Sequence, residues 1–255
     1  MSKIAENLSA ETLFHFTSSI DHLVNILKTN FSPRYCLEDS SYFSIKGYSN
    51  TEQAYPMVCF CDIPLSKIKS HLITYGEYGI GLSKDWGFKN NLTPLIYSRP
   101  NTKTSNAIEN LITWYLNNNE LKDSDDIKLI TSELLMHIKP YEGKMYRNGK
   151  YELTKFYDER EWRWIPNIAN DEIPLSIDKK TFNDSKTRDI YNEKICNYYS
   201  LKFTPQDIKY LIIKDDSEIS SFIEKIESIK GFYDSKTIKI LTTRIFTSNQ
   251  IKFDL

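Results

Sequence analysis

The sequence predicts one α+β domain over residues 1–255, with a pair of helices inserted at about 103–138. Three observations carry this reading. Short runs rich in aromatic and β-branched residues, such as Thr12–Thr17 and Met57–Cys61, read as strands. Stretches with apolar residues three and four apart read as amphipathic helices. The 40% hydrophobic and 13% aromatic content is enough for a sizeable core.

The elements follow in order. Thr12-Leu13-Phe14-His15-Phe16-Thr17 is the first strand. Ser18 or Ser19 then caps a helix through Leu23, Ile26 and Leu27. Residues 32–55 have little periodicity and read as a long loop, a place where function often sits. Pro56 opens the strand Met57–Cys61, and Pro64 starts a helix with Leu65, Ile68 and Leu72 on one face. Glu77–Ser83 reads as a strand whose glycines permit close backbone approach. Residues 93–98 read as another. The insertion shows Ile108, Leu111, Ile112 and Tyr115 on a first helix, and Ile127, Ile130, Leu134 and Leu135 on a second. Lys144–Pro166 is strand-like. The tail reads as a strand at 210–214, a helix at 217–229 and a strand at 237–241.

Composition excludes several classes. Thirty-three basic against 34 acidic side chains give a net charge of −1, so bulk positive charge does not drive nucleic-acid binding. Glycine is scarce, and no phosphate-binding glycine loop of the usual spacing occurs. The four cysteines form no C-x-x-C pair and read as reduced thiols. Cys59 and Cys61 share a strand face that His15 could neighbour, but the spacing is wrong for structural zinc, and no metal is expected. No apolar run reaches the roughly 18 residues of a membrane span, and no signal-peptide core opens the chain. The expectation is a cytoplasmic protein with no membrane partner.

Three segments carry chemistry. On the first strand, alternation sets His15 and Thr17 on one face and Phe14 and Phe16 on the other. That polar pair either hydrogen-bonds a ribose or an amide, or is satisfied by neighbouring backbone. In Tyr157–Trp164, strand alternation puts Glu159, Glu161 and Arg163 on one face. They form either a solvated charge ladder or a carboxylate site. A glutamate there can hold a ribose hydroxyl and stabilise an oxocarbenium-like transition state, with the arginine keeping it ionised. Tyr75 and Tyr78, on a helix-to-strand turn, either stack on a flat ring or pack at a loop.

Taken together, Leu13–Thr17, Phe31, Pro56–Leu65, His71, Tyr75–Leu82 and Glu159–Arg163 resemble the AbiGi family of bacterial abortive-infection phage-resistance proteins. The resemblance spans about 12–215 apart from the insertion. It implies phage defence and the antitoxin half of a two-component system. More distantly, a first strand bearing His-x-Thr and a late strand bearing Glu-x-Glu resemble the ADP-ribosyltransferase superfamily. That resemblance implies a split mixed β-sheet with flanking helices and NAD in its cleft. Under it His15 and Thr17 bind NAD, Tyr75 or Tyr78 packs on nicotinamide, and Glu161 is catalytic with Glu159 beside it. Arg163 joins the cofactor-binding set. No middle Ser-Thr-Ser motif is visible, so a transferase fold retired to binding stands beside an active one.

Two functions are therefore expected. One is transfer of ADP-ribose from NAD to a phage or host target, nucleic acid or protein. The other is an inactive antitoxin that masks a cognate toxin. A nuclease has least support, because basic residues are dispersed among acids.

Overall fold

The computed structural model describes residues 9–43, 51–118, 132–147, 149–230 and 233–254. In chain order the strands are β1 (Thr12–Thr17), β2 (Arg34–Asp39), β3 (Glu52–Cys61), β4 (Tyr78–Ser83), β5 (Thr93–Pro94), β6 (Ile96–Ser98), β7 (Ile138–Pro140), β8 (Gly143–Arg147), β9 (Lys150–Thr154), β10 (Glu161–Trp164), β11 (Ile177–Asp178), β12 (Ile208–Ile213) and β13 (Ile245–Thr247). The helices named below are α1 (Ile20–Thr29), α2 (Lys69–Tyr75), α3 (Lys84–Lys89) and α4 (Lys103–Asn117), with later ones given by range. The class is α+β with a mixed sheet. Two compact units divide the chain: Met1–Ser32, Val58–Leu92 and Tyr199–Leu255 form the first, Pro33–Met57 and Thr93–Tyr198 the second.

The first unit is built on a sheet in the order β13-β12-β4-β1-β3. β1 and β4 pair antiparallel along their whole lengths, from Thr12↔Ser83 to Thr17↔Tyr78. β12 joins β4 antiparallel and takes β13 parallel on its other side. The glycines of β4 make this pairing possible: a side chain at Gly79 or Gly81 would strike the ring of Phe16 or Phe14. Those rings instead lie over bare backbone. Phe14 then packs with Ile68, Leu72, Ile212 and Ile251 in the core. Ser19 caps α1 by accepting the His22 N–H, and Leu23 and Leu27 face inward. A 3-10 turn, Leu65–Lys67, follows Pro64, so the expected helix begins only at Lys69.

In the second unit β2 and β11 each pair antiparallel with β3, β5 pairs with β10, β6 with β7, and β8 with β9. α4 starts with a capping box between Thr102 and Ser105. It buries Ile112 against Phe43 and Ile138, with Ile108 alongside. Leu111, expected on that face, is exposed.

Several expected elements are corrected. The loop read over 32–55 contains β2 and the start of β3. Tyr35 and Leu37 point one way on β2, and such a short alternation does not stand out. The strand expected at 237–241 is a helix, Ser235–Thr242, capped by Asp234. Ile238 and Leu241, three apart, are buried, while Ile240 is exposed. Of the second insertion helix, Leu134 and Leu135 lie in a helical turn at 132–136; Ile127 and Ile130 lie outside the described residues. Among the described residues no helix is long and apolar enough to cross a membrane.

Candidate functional site

The strand pattern places His15 and Phe14 on opposite faces of β1, and each finds aromatic company. His15 packs against Phe31 and Phe60, at ring-centroid distances of 5.2 and 5.6 Å. Its Nδ1 lies 2.8 Å from the Cys59 carbonyl. A carbonyl only accepts, so Nδ1 carries the proton and donates. Loss of water around the ring lowers its affinity for a second proton, and the Cys59 hydrogen bond only partly offsets this. His15 is therefore neutral at pH 7. Thr17 Oγ1 lies 3.2 Å from His22 Nδ1, at the entrance to α1.

Tyr75 ends α2, partly exposed, with its ring against His71. Gly76 follows at φ 120°, where a Cβ would meet the Thr17 carbonyl oxygen at 2.2 Å. Only glycine allows the chain to pass there. Tyr78 donates to Glu218 Oε1 at 2.8 Å. Burial and the Glu218 carboxylate push its hydroxyl up to about 12. Tyr75 and Tyr78 both line an open cavity of about 550 Å³, together with Ser18, Glu77, Lys214 and Lys252. The last two are ion partners of Glu77.

The second unit holds a different kind of site. The 3-10 turn Phe156–Glu159 ends at Arg160, whose φ of 45° reverses the chain before β10. Glu159 therefore reaches the site from the turn, not from the strand face expected of it. Glu161 and Arg163 do share a face of β10, and Arg163 Nε donates to Glu161 Oε1 at 2.7 Å. Arg163 is fully buried. Its remaining nitrogens reach the Met136 carbonyl at 2.6 Å and Glu38 Oε1 at 2.7 Å. Lys139 Nζ closes the cluster, 2.8 Å from both Glu159 Oε2 and Glu161 Oε2. The same ammonium sits 5.0 Å above the Phe156 ring. The Tyr97 hydroxyl accepts the Glu161 backbone N–H at 2.8 Å.

Three carboxylates thus meet two cations away from water, one negative charge in excess. Charge sharing is uneven. Burial would raise the Glu161 carboxyl, but Arg163 and Lys139 outweigh it and hold the group well below the ordinary carboxylate range. Burial does raise Glu38: desolvation and the neighbouring carboxylates prevail over Arg163 and Lys139 there. For Lys139, burial opposes the charge, yet Glu161, Glu38 and Glu159 hold its proton firmly. Such an arrangement can keep one carboxylate permanently ionised while a second takes up a proton. Glu38 also lines a small cavity of about 10 Å³ with Tyr42 and Tyr55.

The structure thus brings Glu159, Glu161 and Arg163 together in the second unit. His15, Thr17, Tyr75 and Tyr78 lie in the first unit, the two tyrosines around one cavity. Sequence reasoning missed Glu38, Lys139 and Tyr97. Glu38 fell in the segment read as a loop, and Lys139 stands one residue past the expected insertion. The alternation of β2 is the signal that would have placed Glu38 on a strand.

A family model described as "Putative abortive phage resistance protein AbiGi, antitoxin" matches residues 29–214. The chain is also 30% identical over 256 residues to the abortive phage resistance protein AbiGi of Lactococcus lactis subsp. cremoris. That alignment covers 88% of this chain and 99% of the relative. No solved structure matches the chain at a significant level. With a family model spanning all three segments of its buried charge cluster and a relative aligned over nearly its full length, the chain belongs to the AbiGi family.

Proposed function

We propose that this chain is the antitoxin component of an abortive-infection phage-resistance pair and that it acts by binding a cognate toxin. Its scaffold, in this reading, is a transferase-like α+β fold kept for recognition. The observation that carries the reading is the state of Glu161. Both of its carboxylate oxygens accept from buried cations, Oε1 from Arg163 and Oε2 from Lys139. A glutamate that activates a ribose hydroxyl or faces an oxocarbenium ion needs an oxygen open to the substrate, and Glu161 is buried. Glu161 is instead the anion that two buried cations require. His15 is held in the same spirit, its Nδ1 proton given to Cys59 and its ring walled by phenylalanines.

The family description supports the same reading, since the matching model is that of an antitoxin. The test is direct. The purified chain is titrated with the product of the neighbouring gene, and growth arrest by that product is scored with and without the chain. Binding with relief of arrest is expected. Absence of both sinks the antitoxin reading.

The alternative is NAD-dependent transfer of ADP-ribose to nucleic acid or protein. One observation favours it: Glu159, Glu161, Arg163 and Tyr97 gather around one point, as an electrostatic site requires. It predicts NAD consumption that Glu161→Gln abolishes.

A further inference from the structure

Glu38, Lys139, Glu159, Glu161 and Arg163 all belong to the second unit, and four segments bring them together: β2, β7, the 3-10 turn Phe156–Glu159 and β10. The surplus charge is not spread evenly among them. Lys139 and Arg163 balance Glu159 and Glu161, two against two, and those four are joined at 2.7–2.8 Å. Glu38 is the fifth charge, and it makes the cluster net negative. It meets the others through Arg163 Nη2, at 2.7 Å. Its side chain is 19% exposed, against 11% for Glu159 and 8% for Glu161.

Glu38 is also the member placed at a strand end. β2 pairs with β3 from Arg34↔Met57 to Asp39↔Glu52. One residue later the Ser40 N–H donates to the Thr51 carbonyl at 2.8 Å and closes the pairing. Glu38 lines a small cavity together with those two residues.

The charged and titratable groups around Glu38 are Arg163 and Glu161 on β10, Lys139 on β7 and Glu159 on the turn. Asp39 follows it on β2, with Oδ1 accepting the Ser41 N–H. Tyr55 on β3 and Tyr42 line the same cavity, and burial and the Glu38 charge hold the Tyr42 hydroxyl protonated. His137, near Lys139 in sequence, directs Nδ1 to the Glu133 carbonyl. Burial, Glu161 and Glu159 oppose a charge on Glu38 more than Arg163 and Lys139 favour it.

We propose that Glu38 is a proton-operated latch on β2: with its proton on, it keeps the end of the strand closed over the charge cluster, and without it that end opens and returns the carboxylate to water. Opening costs the bond to Arg163, but it leaves a balanced group of four, with Arg163 still on Glu161 and the Met136 carbonyl. In water the carboxyl gives up its proton near its ordinary value of 4.5; closed, it does so only at higher pH. Opening therefore gains as pH rises between those two values and levels off above the second. The latch does not depend on the antitoxin reading.

Amide hydrogen exchange on the whole chain tests it. Protection of the Ser40 N–H, corrected for the intrinsic rate at each pH, reads the end of β2. The Leu211 N–H, bonded to the Arg244 carbonyl in the first unit, is the reference. Ser40 should exchange well before Leu211 at every pH, the mark of a local opening. Its protection in wild type should fall about fivefold or more between pH 5 and pH 8. Glu38→Gln should hold it constant within about twofold. Glu159→Gln removes the surplus charge elsewhere. It should flatten the Ser40 profile and lower the pH at which Glu38 titrates, read from the 13C shift of its carboxyl. His137→Gln should leave the profile as in wild type. Ser40 protection that is flat in wild type, that falls as steeply in Glu38→Gln, or that equals Leu211 protection overturns the latch. So does a wild-type Glu38 carboxyl that titrates at or below 4.5, a measurement that needs no variant to fold.

Discussion

The strands β1 and β10 each bring polar side chains into an interior, and they do so by opposite means. β1 buries a neutral imidazole: His15 needs one acceptor, the Cys59 carbonyl, and aromatic walls do the rest. β10 buries charges, and each depends on the next. Arg163 is held by Glu38 and Glu161, Glu161 by Arg163 and Lys139, and Lys139 by Glu159 and Glu161. A neutral buried group can be exchanged for the cost of a hydrogen bond. A buried ion network cannot lose a member without stranding the others. The same look in a sequence, alternating polar residues on an aromatic strand, therefore covers two very different sensitivities to mutation.

Arg163→Met should show the largest effect. It strands Glu38 and Glu161 without their guanidinium and should cost about 3–5 kcal/mol in urea unfolding. Combining it with Glu161→Gln should cost clearly less than the two losses added, because the partners form one network. Strict additivity would break the comparison.

Glu161→Gln alone should cost about 2–3 kcal/mol at pH 7, the loss of charge-assisted bonds to two buried cations. Glu38→Gln should cost less than Glu161→Gln, because burial raises the Glu38 carboxyl and weakens the advantage of its charged form. Their pH dependences should run in opposite directions. Glu161 is held below its ordinary value of 4.5, so its contribution is full above that pH and is lost on acidification. The deficit of Glu161→Gln therefore shrinks as pH falls below 4.5. Glu38 is held above 4.5, so wild type loses stability as pH rises through the folded value. Glu38→Gln should gain on wild type with rising pH. Unfolding curves from pH 3 to pH 8 decide both.

His15→Phe should show the smallest effect, about 1 kcal/mol for one hydrogen bond, with the aromatic packing kept. His15 resists protonation in the folded chain, whereas the unfolded chain takes up a proton near 6.5. Its contribution is thus present above pH 6.5 and fades as pH falls toward the lowered folded value. His15→Phe should flatten that part of the stability profile. An unchanged slope would mean that water reaches the ring.

The division of labour between sequence and structure follows from range. β1, α1, β4 and the Glu161–Arg163 alternation were legible because each is a local pattern. The glycines of β4 pointed to close approach, and the rings of Phe14 and Phe16 supply it. What was illegible is non-local. Glu38 lies 125 residues from Arg163, and Lys139 lies 22 from Glu161. Nothing in either neighbourhood marks a partner. Glu159 was misplaced on the strand because the left-handed Arg160 breaks the alternation, and an arginine does not advertise that conformation. The strand expected at 237–241 is part of the helix Ser235–Thr242, and the Asp234 cap is the local signal that marks its start.

The central claim is that this chain recognises a protein and that its buried carboxylates are framework. One calorimetric comparison tests it: the chain titrated with NAD to millimolar concentration and, in the same buffer, with the purified toxin, each repeated with Glu161→Gln. The account predicts heat of binding with the toxin, none with NAD, and a Glu161→Gln chain that is less stable in a parallel melt yet binds toxin wherever it remains folded. Saturable NAD binding, lost in a Glu161→Gln chain whose melting temperature is unchanged, would contradict it.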